Sequence, residues 1–252
     1  MPTRLGSALT TSTTSSICRQ LKPISSASAA VVLGELDAAQ HDLEQLRGLT
    51  RGSVSIAASD TVTRYLLTPV LARYLHEYPD IEITVANETS PEAVRMVQHM
   101  QADIGFVTMP LQAPRLTCRN VWSYREVAVC APEHRLAHAR NPVTMAELAS
   151  SRLLLLERGT QSRALIEQMF GSAGLVVTAG MELASVEVQK DLAGLGLGVA
   201  IVPSYAVDAE RERGRLTVVD LESSLAERTI GMIVRTETQL SPAVKAFCDR
   251  VR

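Results

Sequence analysis

From Gly52 onward the chain alternates short apolar runs with longer segments of helical period, and few folds accommodate that rhythm. Short runs rich in Val, Ile and Leu, each followed by a stretch with apolar positions three and four apart, are the pattern of βαβ units around a mostly parallel sheet. The strands expected are 54–58, 81–85, 104–108, 127–131, 153–156, 199–202, 216–221 and 229–234. Helix starts are marked by chemistry. Thr68 before Pro69, Ser90 before Pro91 and Ser241 before Pro242 each read as an N-cap with proline at the first helical position, and Thr144 with Glu147 reads as a capping box. Leu67, Val70, Leu71, Tyr74 and Leu75 then line one face of the first helix.

The strand 54–58 runs straight into the polar knot Ser59-Asp60-Thr61 and then into helical spacing, with no loop between. In an open parallel sheet the carboxyl ends of the strands face a crevice. Helices that start there present free backbone N–H groups and a positive dipole end to it. Small hydroxyl residues add hydrogen-bonding capacity without filling the space, so a carboxylate or other small anion is the natural guest. The same device recurs at Asn87, Thr89 and Ser90, at Thr108, at Gly159 to Ser162 and at Ser185. One such junction is an ordinary N-cap, whereas several converging on one cleft make a ligand site.

Composition narrows the function. A formal charge of -2 over 252 residues leaves no chain-wide electrostatic footprint for nucleic acid. The four cysteines stand far apart with no CxxC pair, which fits a reducing cytosol and neither a zinc site nor a disulfide scaffold. No apolar run reaches the ~20 residues of a membrane span. The sequence "ASAAVVLG" at 27–34 is short and late for a signal core. Residues 1–28 are Ser/Thr-rich without periodicity and are expected to be disordered. Val32, Leu36, Ala39, Leu43 and Leu46 then follow a heptad seam, so 29–49 is expected to be an amphipathic helix, paired with a second copy or packed on its own domain.

Read together and in order, "GSVSIAASDTVTRYLLTPVLARYLHEYPDIEITV", "ADIGFVT", "VCAPEHRLA", "MAELASSRLLLLERGTQSRALIEQMF" and "LAGLGLGVAIVPSYAV" resemble the effector-binding domain of LysR-type transcriptional regulators. The stretch "ELDAAQHDLEQLRGLTRG" is similar to that family's linker helix, which pairs two subunits. The resemblance implies an α/β, two-lobed, type 2 periplasmic-binding-protein-like fold after a disordered N-terminus and a linker (dimerisation) helix. Lobe I is expected at 52–123 and 225–252, and lobe II at 124–224. Between them it implies a small effector, an organic or aromatic acid, touching Ser59, Asp60, Thr61, Thr108, Gly159, Thr160 and Gln161. It implies a cytoplasmic homodimer or homotetramer that needs no cofactor and no membrane. The family's winged helix-turn-helix has no counterpart in 1–28, so contact with DNA is expected only through a missing N-terminal module. A truncated gene, a misread start and a free-standing relative are all compatible with that.

Two other function classes stay open. An exported solute-binding protein for a small organic anion would share the fold but need a signal sequence. An enzyme on this scaffold would need a paired acid and base facing the cleft, and the sequence offers no such pair. The "GLGLG" turn at 194–198 precedes a strand, where a dinucleotide fingerprint must follow one. His134 and His138 lie in a proline-bounded loop without a third ligand, so no metal is expected there. Asp103 stands at the start of a strand, away from the crevice, and is expected to make a structural hydrogen bond. Arg64 and Arg158 are candidates to pair with a ligand carboxylate.

Overall fold

The computed structural model describes residues 52–112, 114–225, 227–236 and 239–251. The expected disordered segment 1–28 and linker helix 29–49 lie outside the described residues. The strands are β1 (Gly52–Ala58), β2 (Ile81–Asn87), β3 (Ile104–Met109), β4 (Leu116–Cys130), β5 (Leu153–Leu156), β6 (Ala179–Leu183), β7 (Val199–Pro203), β8 (Thr217–Val218) and β9 (Glu227–Arg235). The helices are α1 (60–77), α2 (Ser90–Gln98), α3 (Met145–Ala149), α4 (Gln161–Ser172), α5 (Val186–Gly194), α6 (Asp208–Glu212) and α7 (Pro242–Arg250).

Strand order is β2-β1-β3-β9-β4-β7-β5-β6, with β8 beside β4. The first half is parallel at β2-β1-β3 and is closed by β9, antiparallel to β3. The second half is parallel at β7-β5-β6. β4 belongs to both halves: it pairs with β9 from Leu116 to Arg125, then with β7 from Glu126 onward. Two α/β lobes are therefore joined where β4 and β9 pass from one to the other. The expected strand 127–131 is only the end of β4, whose first part carries exposed polar residues and gives no apolar signal.

Each lobe buries both faces of its sheet. In lobe II, Leu153 and Leu155 face Ile166 and Phe170 of α4, whereas Leu154 faces Val186 and Ala193 of α5. A run of four leucines is thus the natural sequence of a strand covered on both sides. In lobe I, Val54 and Ile56 pack on Val70, Tyr74 and Phe247, and Ala57 and Val107 pack on Val94 and Val97 of α2.

Helix α1 begins earlier than the Thr-Pro signal implies. Ser59 is its N-cap, with Oγ accepting from the Val62 N–H at 3.3 Å, and the helix runs unbroken through a π turn at Thr63–Leu67. Thr68 is inside it and donates through Oγ1 to the Thr63 carbonyl at 2.9 Å. A proline inside a helix lacks one donor and presses on the carbonyl four residues back. The wider π turn just before Pro69 gives that ring room. At α2 the N-cap is Thr89, and Ser90 is the first helical residue. Ser241 caps α7 and the Thr144/Glu147 capping box forms at α3, both as the spacing predicts. Of the expected strand 216–221 Thr217–Val218 form β8, and Leu221 makes an isolated bridge with Val143. β6 has no counterpart among the expected strands; its residues alternate between intermediate and exposed, as on an edge. Asp103 accepts from the N–H and hydroxyl of Ser55, at 2.8 and 2.6 Å, which is the structural role its position implies.

Candidate functional site

The carboxyl ends of β1, β2 and β3 and those of β5, β6 and β7 open onto one cavity of about 400 Å³ between the lobes. Lobe I contributes Ser59, Asp60, Thr61, Asn87, Ser90 and Thr108 to its wall. Lobe II contributes Thr160 and Gln161 at the start of α4, and Ser185, the N-cap of α5. Six of the seven residues singled out in the sequence are brought together here. The seventh, Gly159, is absent from the wall. It takes a left-handed turn at φ 94° with open space beside its Cα, so its part is to let the chain reverse before Thr160.

Local bonds hold the wall in shape. The Asn87 Oδ1 accepts from the Asp60 N–H at 2.8 Å, tying the end of β2 to the start of α1. Ser90 Oγ accepts from the Thr108 N–H at 2.9 Å, tying α2 to β3. Thr160 Oγ1 accepts from the Arg163 N–H at 3.2 Å and donates to the Glu157 carbonyl at 3.1 Å. Thr61, Ser162 and Val186 lie in the first turns of α1, α4 and α5, and their N–H groups find no acceptor among the described residues. Positive helix ends from both lobes thus face a shared space.

Side chains bridge the lobes on either side of this space. Gln161 Nε2 donates to the Pro110 carbonyl at 2.7 Å. Tyr65, in the π turn of α1, donates its hydroxyl to Glu187 of α5 at 2.7 Å and receives a hydrogen bond from Lys190 at 2.5 Å. Lys190 is buried, and its ammonium is also held by Glu210 at 3.2 Å and by the Ala206 carbonyl at 2.7 Å.

Where β4 and β7 meet the cavity, Tyr124 and Tyr205 add aromatic surface, their rings edge to face with centroids 5.1 Å apart. Burial raises both phenols above the usual range, with the nearby Glu126 carboxylate adding to the shift. Glu126 itself is buried at 4% exposure; desolvation pushes its carboxyl up to about 7, against a weaker pull from Arg228. Its Oε2 and the Nε of Arg228 are both buried without a hydrogen-bond partner among the described residues.

Arg64 and Arg158 do not serve the role the sequence offered them. Arg64 pairs with Glu187 at 3.6 Å and Arg158 with Glu182 at 3.6 Å, and neither lines the cavity. Glu88, Glu157, Tyr124 and Tyr205 line it and were not singled out by sequence reasoning. Glu88 and Glu157 each stand directly after a β-strand, the signal that also marks Ser59, and that signal applied to acidic residues finds them. No His, Cys, Lys or Arg stands among the described lining residues, and no cluster of three metal-binding side chains occurs among the described residues.

Fold and cavity define a two-lobed α/β domain with a polar-walled cavity between its lobes. The chain belongs to the LysR substrate binding domain family, whose pattern matches residues 47–252. It is 29% identical over 208 residues to the uncharacterized HTH-type transcriptional regulator YeiE of Escherichia coli, covering 82% of this chain and 70% of that one. The regulatory domain of CcmR from Synechocystis, solved in complex with 2-PG, superposes with a TM-score of 0.73 at 21% identity, over 79% of this chain and 95% of that one. The effector-binding domain of QuiR in complex with shikimate superposes with a TM-score of 0.71 at 16% identity, over 80% and 96%. The function is small-molecule effector sensing in LysR-type transcription regulation, and the exported-carrier alternative is not favoured. No described helix is long and apolar enough to cross a membrane.

Proposed function

We propose that the cavity is the effector site, that its ligand is a small organic or aromatic acid, and that Ser59, Asp60, Thr61, Thr108, Thr160 and Gln161 contact it, Gly159 shaping the turn beside them. The observation that carries this reading is the convergence of helix N-terminal turns from both lobes on one cavity of about 400 Å³. The ligand's anionic group rests against the N–H groups of Thr61 and Ser162, and its carbon skeleton lies on Tyr124 and Tyr205. Shikimate held by QuiR and 2-PG held by CcmR support a ligand of this size. Ligand contact with both lobes favours one lobe arrangement over others, which is what a sensor requires. The domain works in the cytoplasm as a homodimer or homotetramer. Its family is one of transcription regulators rather than of enzymes.

A thermal-shift screen of small organic and aromatic acids tests this. A ligand at 100 times its dissociation constant adds about 2.7 kcal/mol. Thr61→Ala and Thr160→Ala are expected to weaken binding of any acid found. If no acid shifts melting, or both variants bind as the wild type does, the site assignment falls.

A further inference from the structure

Tyr65 belongs to α1 of lobe I but packs in lobe II. Its ring lies against the apolar core that Val186, Ala193, Ala206 and Val207 help form there, with the Tyr205 ring 6.1 Å away between centroids. Its hydroxyl meets a socket built wholly from lobe II. Lys190 of α5 is only 2% exposed, and Glu187, Glu210 and the Ala206 carbonyl hold its ammonium at 3.2, 3.2 and 2.7 Å. An ammonium has three N–H donors and no acceptor, so these lobe II groups fix its place without help from lobe I. The Tyr65 hydroxyl then accepts from Lys190 at 2.5 Å and donates to Glu187 at 2.7 Å, two charge-assisted bonds beside a buried cation. The Arg64–Glu187 pair also crosses between the lobes, but Arg64 is exposed and such a pair contributes little. Position gives the socket its interest. Tyr65 stands about one turn beyond Thr61 on α1, and Lys190 about one turn beyond Val186 on α5, and Thr61 and Val186 are both in the cavity wall.

We propose that Tyr65 is a positioning residue of the cavity: seated in the lobe II socket, it sets the spacing between the N-terminal turns of α1 and α5 before any ligand binds, so the width of the site is preset by the protein. Parting the lobes would break both hydroxyl bonds and expose the ring, while the socket, already complete within lobe II, would gain nothing in return. The other side-chain tie, from Gln161 to the Pro110 carbonyl, is a neutral bond at an exposed position, where water competes for both groups. Tyr65 is therefore the stronger constraint. A preset width selects ligands by size, because a molecule that fits the cavity of about 400 Å³ binds without the cost of reordering the wall. Since the spacing is a property of the protein before binding, it is measured independently of which molecule the cavity takes.

The test reads the distance between the lobes in the full 252-residue chain by pulsed electron paramagnetic resonance, with no ligand added. Spin labels go on Lys245→Cys of α7 in lobe I and Gln168→Cys of α4 in lobe II, both exposed positions, in a chain with Cys18 and Cys118 replaced by serine; Cys130 and Cys248 are buried. Labelled chain is diluted into a large excess of unlabelled chain, so that only pairs within one chain are read. The expected result is a narrow distance distribution that Tyr78→Phe keeps and Tyr65→Phe broadens. Tyr78→Phe is the matched control, since it removes a hydroxyl at the end of the same helix whose partners, Glu77 and Arg250, both belong to lobe I. A Tyr65→Phe chain that melts lower but keeps the parent distribution has lost stability alone, and the positioning role is overturned. A parent distribution already as broad as that of Tyr65→Phe overturns it too. Should Tyr65→Phe fail to fold, Glu187→Gln, which leaves Lys190 paired with Glu210, is read in its place: a broadened distribution supports the role and an unchanged one overturns it.

Discussion

Replacing Glu126 with glutamine is expected to stabilise the fold, and to do so only above mildly acidic pH. The side chain sits on β4 where the strand leaves lobe I, walled by Tyr124 and Tyr205, with Arg228 of β9 as the facing cation. Its carboxyl stands near 7 in the fold against an ordinary 4.5, so the folded protein holds the proton more tightly than the unfolded chain. Below pH 4.5 both states are protonated and the group costs nothing. Between 4.5 and 7 the unfolded chain ionises while the fold resists, and stability falls as pH rises; above 7 the whole penalty is present. That penalty is about 3 kcal/mol, from 1.36 kcal/mol for each pH unit between the two values. Urea unfolding of wild type and Glu126→Gln at pH 5 and pH 8 measures it directly. The variant's advantage should grow by about 2–3 kcal/mol from the lower to the higher pH, on the same linkage. An advantage equal at both pH values, or a variant weaker than wild type at pH 8, would refute the desolvation argument.

Tyr65→Phe keeps the ring but removes the hydroxyl between Glu187 and Lys190, leaving a buried ammonium one partner short. A loss of about 1–3 kcal/mol in chemical denaturation is expected, with a shift toward open lobes in small-angle scattering. Gly198→Ala would drive a Cβ to 2.4 Å from the Arg152 carbonyl and 3.1 Å from the Leu154 side chain. Because the nearest atom is backbone, a loss of about 2 kcal/mol or more is expected in the same assay, and an unchanged midpoint would contradict it.

What the sequence could reveal followed the physics of each segment. β5 and β7 are covered on both faces, so they read as unbroken apolar runs and are found at nearly their full length. The first part of β4 and all of β6 lie at partly exposed positions, where polar residues are tolerated and periodicity fades. The start of α1 was obscured by a stronger local signal: Thr68-Pro69 looks like a helix beginning, and only the π turn lets it sit inside one. In the site, hydroxyls at strand ends were legible because they are N-caps wherever they end up. Tyr124 and Tyr205 were not, because the one faces the cavity through the pairing of β4 with β9 and the other through the turn that follows β7. The same holds for Arg64 and Arg158, whose partners Glu187 and Glu182 are distant in sequence.

The antiparallel partner of β3 is β9, made more than a hundred residues later, while β4 to β8 follow one another without interruption. During synthesis the later lobe is therefore the first to have all its strands, and the earlier one waits with a bare edge until β9 and α7 leave the ribosome. A nascent chain halted before Glu227 would carry a finished lobe II tethered to an open, aggregation-prone β3, so the arrival of β9 decides whether lobe I can close its sheet.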